Sequence, residues 1–278
     1  MIDKEQAAPT DHCDTCPAFT QLEQMGINLE EFDRVVALAG NPNTGKSTLF
    51  NALTGLKQHT GNWPGKTVTR AEGGYRFNGL NYKLVDLPGT YSLLSASQDE
   101  EVARDFILFG QPDCVIIVTD ASALERNLNL VMQVLEITDR AIVAVNLMDE
   151  ARRKGIEVDT RSLSRDLGVP AIPTVARSGE GIRSLLSAVE GVITGEIPTK
   201  PLRVKGTLEF QGAVSELASM IEKIAPGVPN SRWLAIRLLD GDARVQQALL
   251  SGELADMVHR QRGPETLASR KMAIEGGQ

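Results

Sequence analysis

The sequence predicts an α/β fold: a mostly parallel β-sheet with helices on both faces, followed by a small all-helical domain. Three observations predict it. Short apolar runs of the kind that form buried strands alternate with helical segments over residues 34–198. The run Gly40-Asn41-Pro42-Asn43-Thr44-Gly45-Lys46-Ser47 sits between the first apolar run and the first helix, the context of a phosphate-binding loop. Beyond Pro198 and Pro201 the strand patterns stop and only helical spacing remains.

The elements follow in order. Residues 1–33 have no clear period and read as a flexible N-terminal extension. Val35-Val36-Ala37-Leu38-Ala39 is a strand that runs into the glycine-rich turn, and residues 47–56 are the helix after it. Residues 70–77 and 81–85 flank Asn78-Gly79, a pair that favours a hairpin, expected here as the antiparallel edge of the sheet. Residues 114–119 and 141–145 are buried strands, each with a helix behind it, at 124–137 and 161–167. A short strand at 171–175 and a helix at 181–193 complete the domain over 34–198. Helices are expected at 208–224, 231–239, 242–250 and 252–260, giving a helical domain over 199–265 and a frayed tail over 266–278.

Composition narrows the class. The chain has 278 residues, 42% hydrophobic and 23% charged, as soluble globular proteins do. A net charge of -7 and the lack of a basic cluster argue against a nucleic-acid partner. Three cysteines do not make a disulfide scaffold, so a reducing compartment is expected, with Cys114 a buried thiol. No apolar stretch approaches a membrane span, and the polar, acidic start is not a signal peptide. His12, Cys13 and Cys16 supply three soft ligands where a tetrahedral metal site wants four. They stay open between part of a metal site and a tail with two free thiols.

Four motifs carry the chemistry. In the first, glycines let backbone N–H groups turn toward phosphate oxygens at a helix N-terminus. Gly40, Asn41, Asn43, Thr44, Gly45, Lys46, Ser47 and Thr48 are the expected nucleotide-binding residues; Lys46 reaches the β- and γ-phosphates and Ser47 ligates Mg²⁺. In the second, Asp86-Leu87-Pro88-Gly89, Asp86 holds Mg²⁺ through water and the Gly89 amide senses the γ-phosphate. The third, Asn146-Leu147-Met148-Asp149, ends a strand with a carboxylate that accepts two hydrogen bonds from a guanine edge, a donor pair adenine lacks. The fourth, at Val175 and Ala176, brings a backbone amide to guanine O6. Their order and spacing point to a GTP-binding P-loop GTPase domain. Leu147 replaces a common lysine and Ala176 a common serine, which lowers affinity and speeds GDP release. Thr90 stands where glutamine often orients the attacking water, so slow intrinsic turnover is expected.

Finer residues add a family resemblance. Asn62-Trp63-Pro64-Gly65 followed by Thr67 resembles the switch I segment of the FeoB ferrous-iron transporters. The phrases at 40–43, 86–93 and 232–242 are also similar to that family, and the likeness covers about residues 34–262. It implies that Thr67 ligates Mg²⁺ when GTP is bound and that Asn43 helps hold K⁺ beside the phosphates. Asn43, Lys46, Thr67 and Gly89 are then the catalytic set; Ser47, Thr67, Asp86 and Asn43 are the metal-binding set. The resemblance further implies a helical domain that favours GDP, and a membrane-embedded transporter domain in the same parent chain at the cytoplasmic face of the bacterial inner membrane. It admits self-association. The expected function is GTP hydrolysis that regulates Fe²⁺ entry. The rivals are an RNA- or ribosome-associated GTPase and a non-hydrolysing guanine-nucleotide sensor. Lys66 departs from the family, standing where an apolar residue is usual.

Overall fold

The computed structural model describes residues 22–23, 25–29, 31–55, 58–94, 97–203, 205–252 and 254. The sheet is built from β1 (Arg34–Gly40), β2 (Gln58–Asn62), β3 (Thr69–Phe77), β4 (Leu80–Asp86), β5 (Cys114–Asp120), β6 (Ala141–Asn146) and β7 (Ala171–Pro173). Their spatial order is β2-β3-β4-β1-β5-β6-β7. β1 lies parallel between β4 and β5, with Leu38 opposite Asp86 and Gly40 opposite Val118. That register brings the ends of β1, β4 and β5 to one rim of the sheet, where ligands of open α/β folds collect.

Side chains alternate along β1. Val35, Ala37 and Ala39 face one apolar layer, and Val36 and Leu38 face the other. The second layer is covered by α1 (Lys46–Thr54) and α6 (Ile182–Thr194) through Leu49, Phe50, Leu185 and Val189. The first is covered by α2 (Gln98–Phe109) and α3 (Leu124–Ile137), with Phe106, Leu130 and Val134 buried. Two short helices, α4 (Met148–Arg153) and α5 (Thr160–Leu167), complete this domain. Cys114 is fully buried, and burial pushes its thiol pKa up, so it is an inert core residue.

The C-terminal helices α7 (Leu208–Ile224), α8 (Ser231–Leu239) and α9 (Ala243–Leu250) pack against the α2/α3 layer, with Trp233 and Leu234 in the same apolar cluster as Phe106. Asn230 caps α8 by accepting from Trp233 N–H, and its amide donates to the carbonyls of Glu136 and Ile137 at the end of α3. Arg232 pairs with Glu136 at 2.6 Å. Arg237 pairs with Asp240 and Asp242 and donates to the Leu94 carbonyl, which ties α8 to the loop after β4.

Three expectations need correcting. The hairpin of β3 and β4 forms, with Asn78 at φ 46° and Gly79 at φ 91°, but it is not the sheet edge. β2 lies outside it, antiparallel to β3. Its sequence QHTGN carries no apolar alternation, and partner backbone rather than propensity makes it a strand. Helix α2 was not anticipated; its Ser97 cap accepts from Glu100 N–H, and three acidic residues in the first turn suit the helix dipole. Finally, the N-terminal extension is not flexible throughout, because Leu22, Ile27 and Leu29 are buried in the first apolar layer. His12, Cys13, Cys16 and the tail at 266–278 lie outside the described residues, as do most positions of the helix expected at 252–260.

Candidate functional site

The phosphate-binding loop leaves β1 at Gly40 and enters α1 at Lys46. Gly40 is required because a Cβ there would lie 2.7 Å from the Val118 carbonyl oxygen. Gly45 is required twice over: its φ is +78°, and a Cβ would meet Asn146 Nδ2 at 2.5 Å. Thr44 is buried and its hydroxyl donates to the Asn41 carbonyl at 2.9 Å, bracing the loop from inside. Asn41 is buried as well, and neither polar atom of its side chain has a hydrogen-bond partner. Both residues were expected to hold nucleotide, and with their side chains turned inward only their backbones can. Asn43, Ser47 and Thr48 are exposed, with Asn43 in the left-handed region at φ 66°.

Lys46 Nζ is bonded to the Asp86 carboxylate and, at 2.7 Å, to the Leu87 carbonyl. The second motif thus meets the first directly. Burial pushes the Asp86 carboxyl above the ordinary aspartate range, and the Lys46 ammonium pulls it part of the way back. Gly89 follows, and a Cβ on it would meet Pro42 at 3.6 Å. Thr90 is buried and its N–H donates to the Gly40 carbonyl at 3.3 Å. It cannot reach a water at the loop mouth as a glutamine would.

Asn146 joins the remaining motifs. It is fully buried; its Nδ2 donates to the Thr44 carbonyl at 2.9 Å, and its Oδ1 accepts from Ala176 N–H at 3.0 Å and from the Thr174 hydroxyl at 3.3 Å. The Val175 N–H donates to the Glu180 carbonyl. The amides of Val175 and Ala176, expected at guanine O6, are therefore both engaged inside the protein. The next amide, that of Arg177, is the first in the loop not so engaged among the described residues. Asp149, in α4, is partly exposed, and its Oδ2 lies 3.3 Å from Arg177 Nη2. A guanine edge read by Asp149, as the sequence leads one to expect, would compete with that guanidinium for the carboxylate. Arg177→Ala should therefore tighten GDP binding by about two- to fivefold, the scale of an exposed ion pair, in a fluorescent-GDP titration. Weaker binding would show that Arg177 assists the base instead.

Thr67 stands apart from the loop cluster, its hydroxyl donating to Gln98 Oε1 at 3.1 Å. Its neighbour Lys66 pairs with Glu101 at 2.8 Å, which accounts for a lysine at this position. Sequence reasoning missed Gln98 and Glu101, whose only signal was the polar turn at the start of α2; it included Arg177 as the last residue of the base-contact loop Thr174-Val175-Ala176-Arg177 but not its pairing with Asp149. The donors expected for a metal are all oxygen: the Ser47 hydroxyl, the Asp86 carboxylate, the Asn43 carbonyl and, now turned to Gln98, the Thr67 hydroxyl. Among the described residues no cluster of three or more His, Cys, Asp or Glu forms a metal cage. One carboxylate plus hydroxyls suits Mg²⁺ or K⁺ held jointly with phosphate, not a soft metal.

A strand, a glycine loop and a helix N-terminus, with aspartates closing both ends of the rim, define a P-loop nucleotide-binding domain of the GTPase fold. Comparison with known proteins narrows the class. Residues 34–189 match the family model for ferrous iron transport protein B, and residues 209–266 match that for the FeoB cytosolic helical domain. The chain belongs to the FeoB family. It is 41% identical over 213 residues to the Fe(2+) transporter FeoB of Escherichia coli (strain K12), covering 74% of this chain but 27% of that protein. The chain thus spans about a quarter of the curated relatives it matches. The cytosolic domain of L. pneumophila FeoB is 36% identical, with a TM-score of 0.68 over 82% of this chain and 96% of that one. The cytosolic domain of the T. maritima FeoB iron transporter in its GMPPNP form is 34% identical, with a TM-score of 0.69 over 82% of this chain and 94% of that one.

Proposed function

We propose that this chain binds and hydrolyses GTP, and that it regulates Fe²⁺ passage through a membrane domain of the same parent protein from the cytoplasmic face of the inner membrane. The observation that carries the nucleotide reading is the joining of the loop at 40–47, Asp86 and Asn146 by direct hydrogen bonds. Among the described residues no helix is long and apolar enough to cross a membrane; on this reading the Fe²⁺ path lies in the membrane domain of the parent protein.

Backbone N–H groups of residues 43–48 would grip the β- and γ-phosphates at the start of α1. Lys46 would exchange its Asp86 partner for phosphate oxygens. The Ser47 and Thr67 hydroxyls would hold Mg²⁺ directly and Asp86 through water; the ion would supply neutralising charge to the phosphates. Asn43 would hold K⁺ with its carbonyl, and that ion would supply positive charge to the transferring phosphoryl group. Asp149 would read the guanine edge, and the Arg177 amide is the donor left for O6. Thr90 gives no group to align water, so turnover is slow; Ala176, lacking a hydroxyl, leaves the base loop easy to open.

The test is phosphate release from GTP, with Thr67→Ala beside the parent. Thr67 serves only the GTP state on this reading, so the variant should lose most hydrolysis, roughly tenfold or more, and keep its GDP affinity. Equal loss of both would remove Thr67 from the mechanism. No phosphate release by the parent in either KCl or NaCl would leave the non-hydrolysing sensor as the better reading.

A further inference from the structure

Met25 and Gly26 lie against switch I. Leu22, Ile27 and Leu29 belong to the same buried cluster as Trp63, Val68 and Phe106. The Trp63 ring meets Phe106 edge-on at 5.4 Å, and its face carries the Arg70 guanidinium, also at 5.4 Å. Arg70 in turn donates to the carbonyls of Met25 at 2.7 Å and Gly26 at 2.8 Å. The two chain segments touch closely at Gly26, which has φ +81°; a Cβ there would come within 2.8 Å of Arg70 Nη1 and 3.3 Å of Pro64 Cγ. One arginine thus fastens the N-terminal segment to the tryptophan of switch I.

The rest of switch I is held on α2, by Lys66 with Glu101 and by Thr67 with Gln98. An open cleft of about 200 Å³ runs along the joint between Met25, Trp63, Pro64, Lys66 and Phe106.

We propose that residues 25–29 form a strap that keeps switch I docked on α2 and thereby lowers affinity for GTP relative to GDP. The inference rests on the reading above that Thr67 must leave Gln98 to meet the γ-phosphate side of the nucleotide. Ile27 is a positioning residue: buried next to Gly26, it anchors the segment whose carbonyls Arg70 holds against Trp63. A ligand that needs switch I moved must undo the strap, and one that leaves it in place does not; the difference appears as a ratio of affinities.

The experiment uses the full chain with Trp233→Phe, which leaves Trp63 as the sole tryptophan. Acrylamide quenching reports Trp63 exposure, and titrations give the affinities for GDP and GMPPNP. Ile27→Asp should expose Trp63 and tighten GMPPNP binding by roughly tenfold with GDP unchanged, within the range of ordinary coupling between sites. Ile27→Val should restore the parent ratio. If Ile27→Asp loses GDP binding through misfolding, Gly26→Ala presses the same joint apart without burying a charge. The strap is overturned if Trp63 becomes quenchable while the GMPPNP-to-GDP ratio stays fixed, or if Trp63 stays shielded in both variants. It is also overturned if GMPPNP binds the parent without changing Trp63 exposure. A parent that binds neither nucleotide refutes the GTPase reading itself, a result distinct from all of these.

Discussion

Asn43→Ala should abolish the difference between hydrolysis in KCl and in NaCl at equal ionic strength. Charge grows toward the β–γ bridge as the phosphoryl group transfers, and Lys46 with Mg²⁺ offsets only part of it. Asn43 is exposed in the loop, with its backbone in the left-handed region. Thr90, being buried, offers no substitute. The parent should therefore be faster in KCl, and the variant should fall to the NaCl rate. Removing one such charge-stabilising contact typically costs about 10²–10³ in rate. Equal rates for the parent in both salts would sink the potassium mechanism and leave guanine-nucleotide binding standing.

The second large effect is expected at Asp149. Two carboxylate oxygens match the N1–H and N2–H₂ donors of guanine, and hydrogen bonds to a charged acceptor are the strong ones. Asp149→Asn turns one acceptor into a donor that faces another donor. GTP and GDP should both weaken by roughly a hundredfold, near 3 kcal/mol, because a buried donor is left unmade. Xanthine nucleotides, which carry an oxygen where guanine carries its amino group, should gain. The readout is competition between GDP and XDP for a fluorescent nucleotide. A variant that binds GTP as tightly as the parent would show that Asp149 is only a residue of α4, paired to Arg177.

Where periodicity was strong, the sequence was sufficient. Leu208–Ile224 and Ser231–Leu239 form helices over the residues expected, because amphipathic spacing survives any context. The strand ends at Gly40, Asp86 and Asn146 were legible for another reason: glycine, aspartate and asparagine interrupt apolar runs at the points where loops begin. β2 was not legible, since QHTGN becomes a strand only by pairing with β3. Helix α2 was hidden by its polar first turn, although Val102, Phe106 and Phe109 have helical spacing. Contacts of long sequence separation were beyond any local pattern. Arg70 gives no hint that it serves Met25, and Lys66, noticed as a departure, needed Glu101 beside it to make sense.

Asn146 has one more consequence. A single amide pins the backbone of Thr44 on one side and that of Ala176 on the other. The loop expected to meet the base and the loop expected to meet phosphate are therefore tied through one side chain, so a ligand that fills one should stiffen the other. Inorganic pyrophosphate, which carries no base at all, should slow amide exchange at Ala176 as well as along 43–48, and Asn146→Ala should confine that protection to the loop it touches.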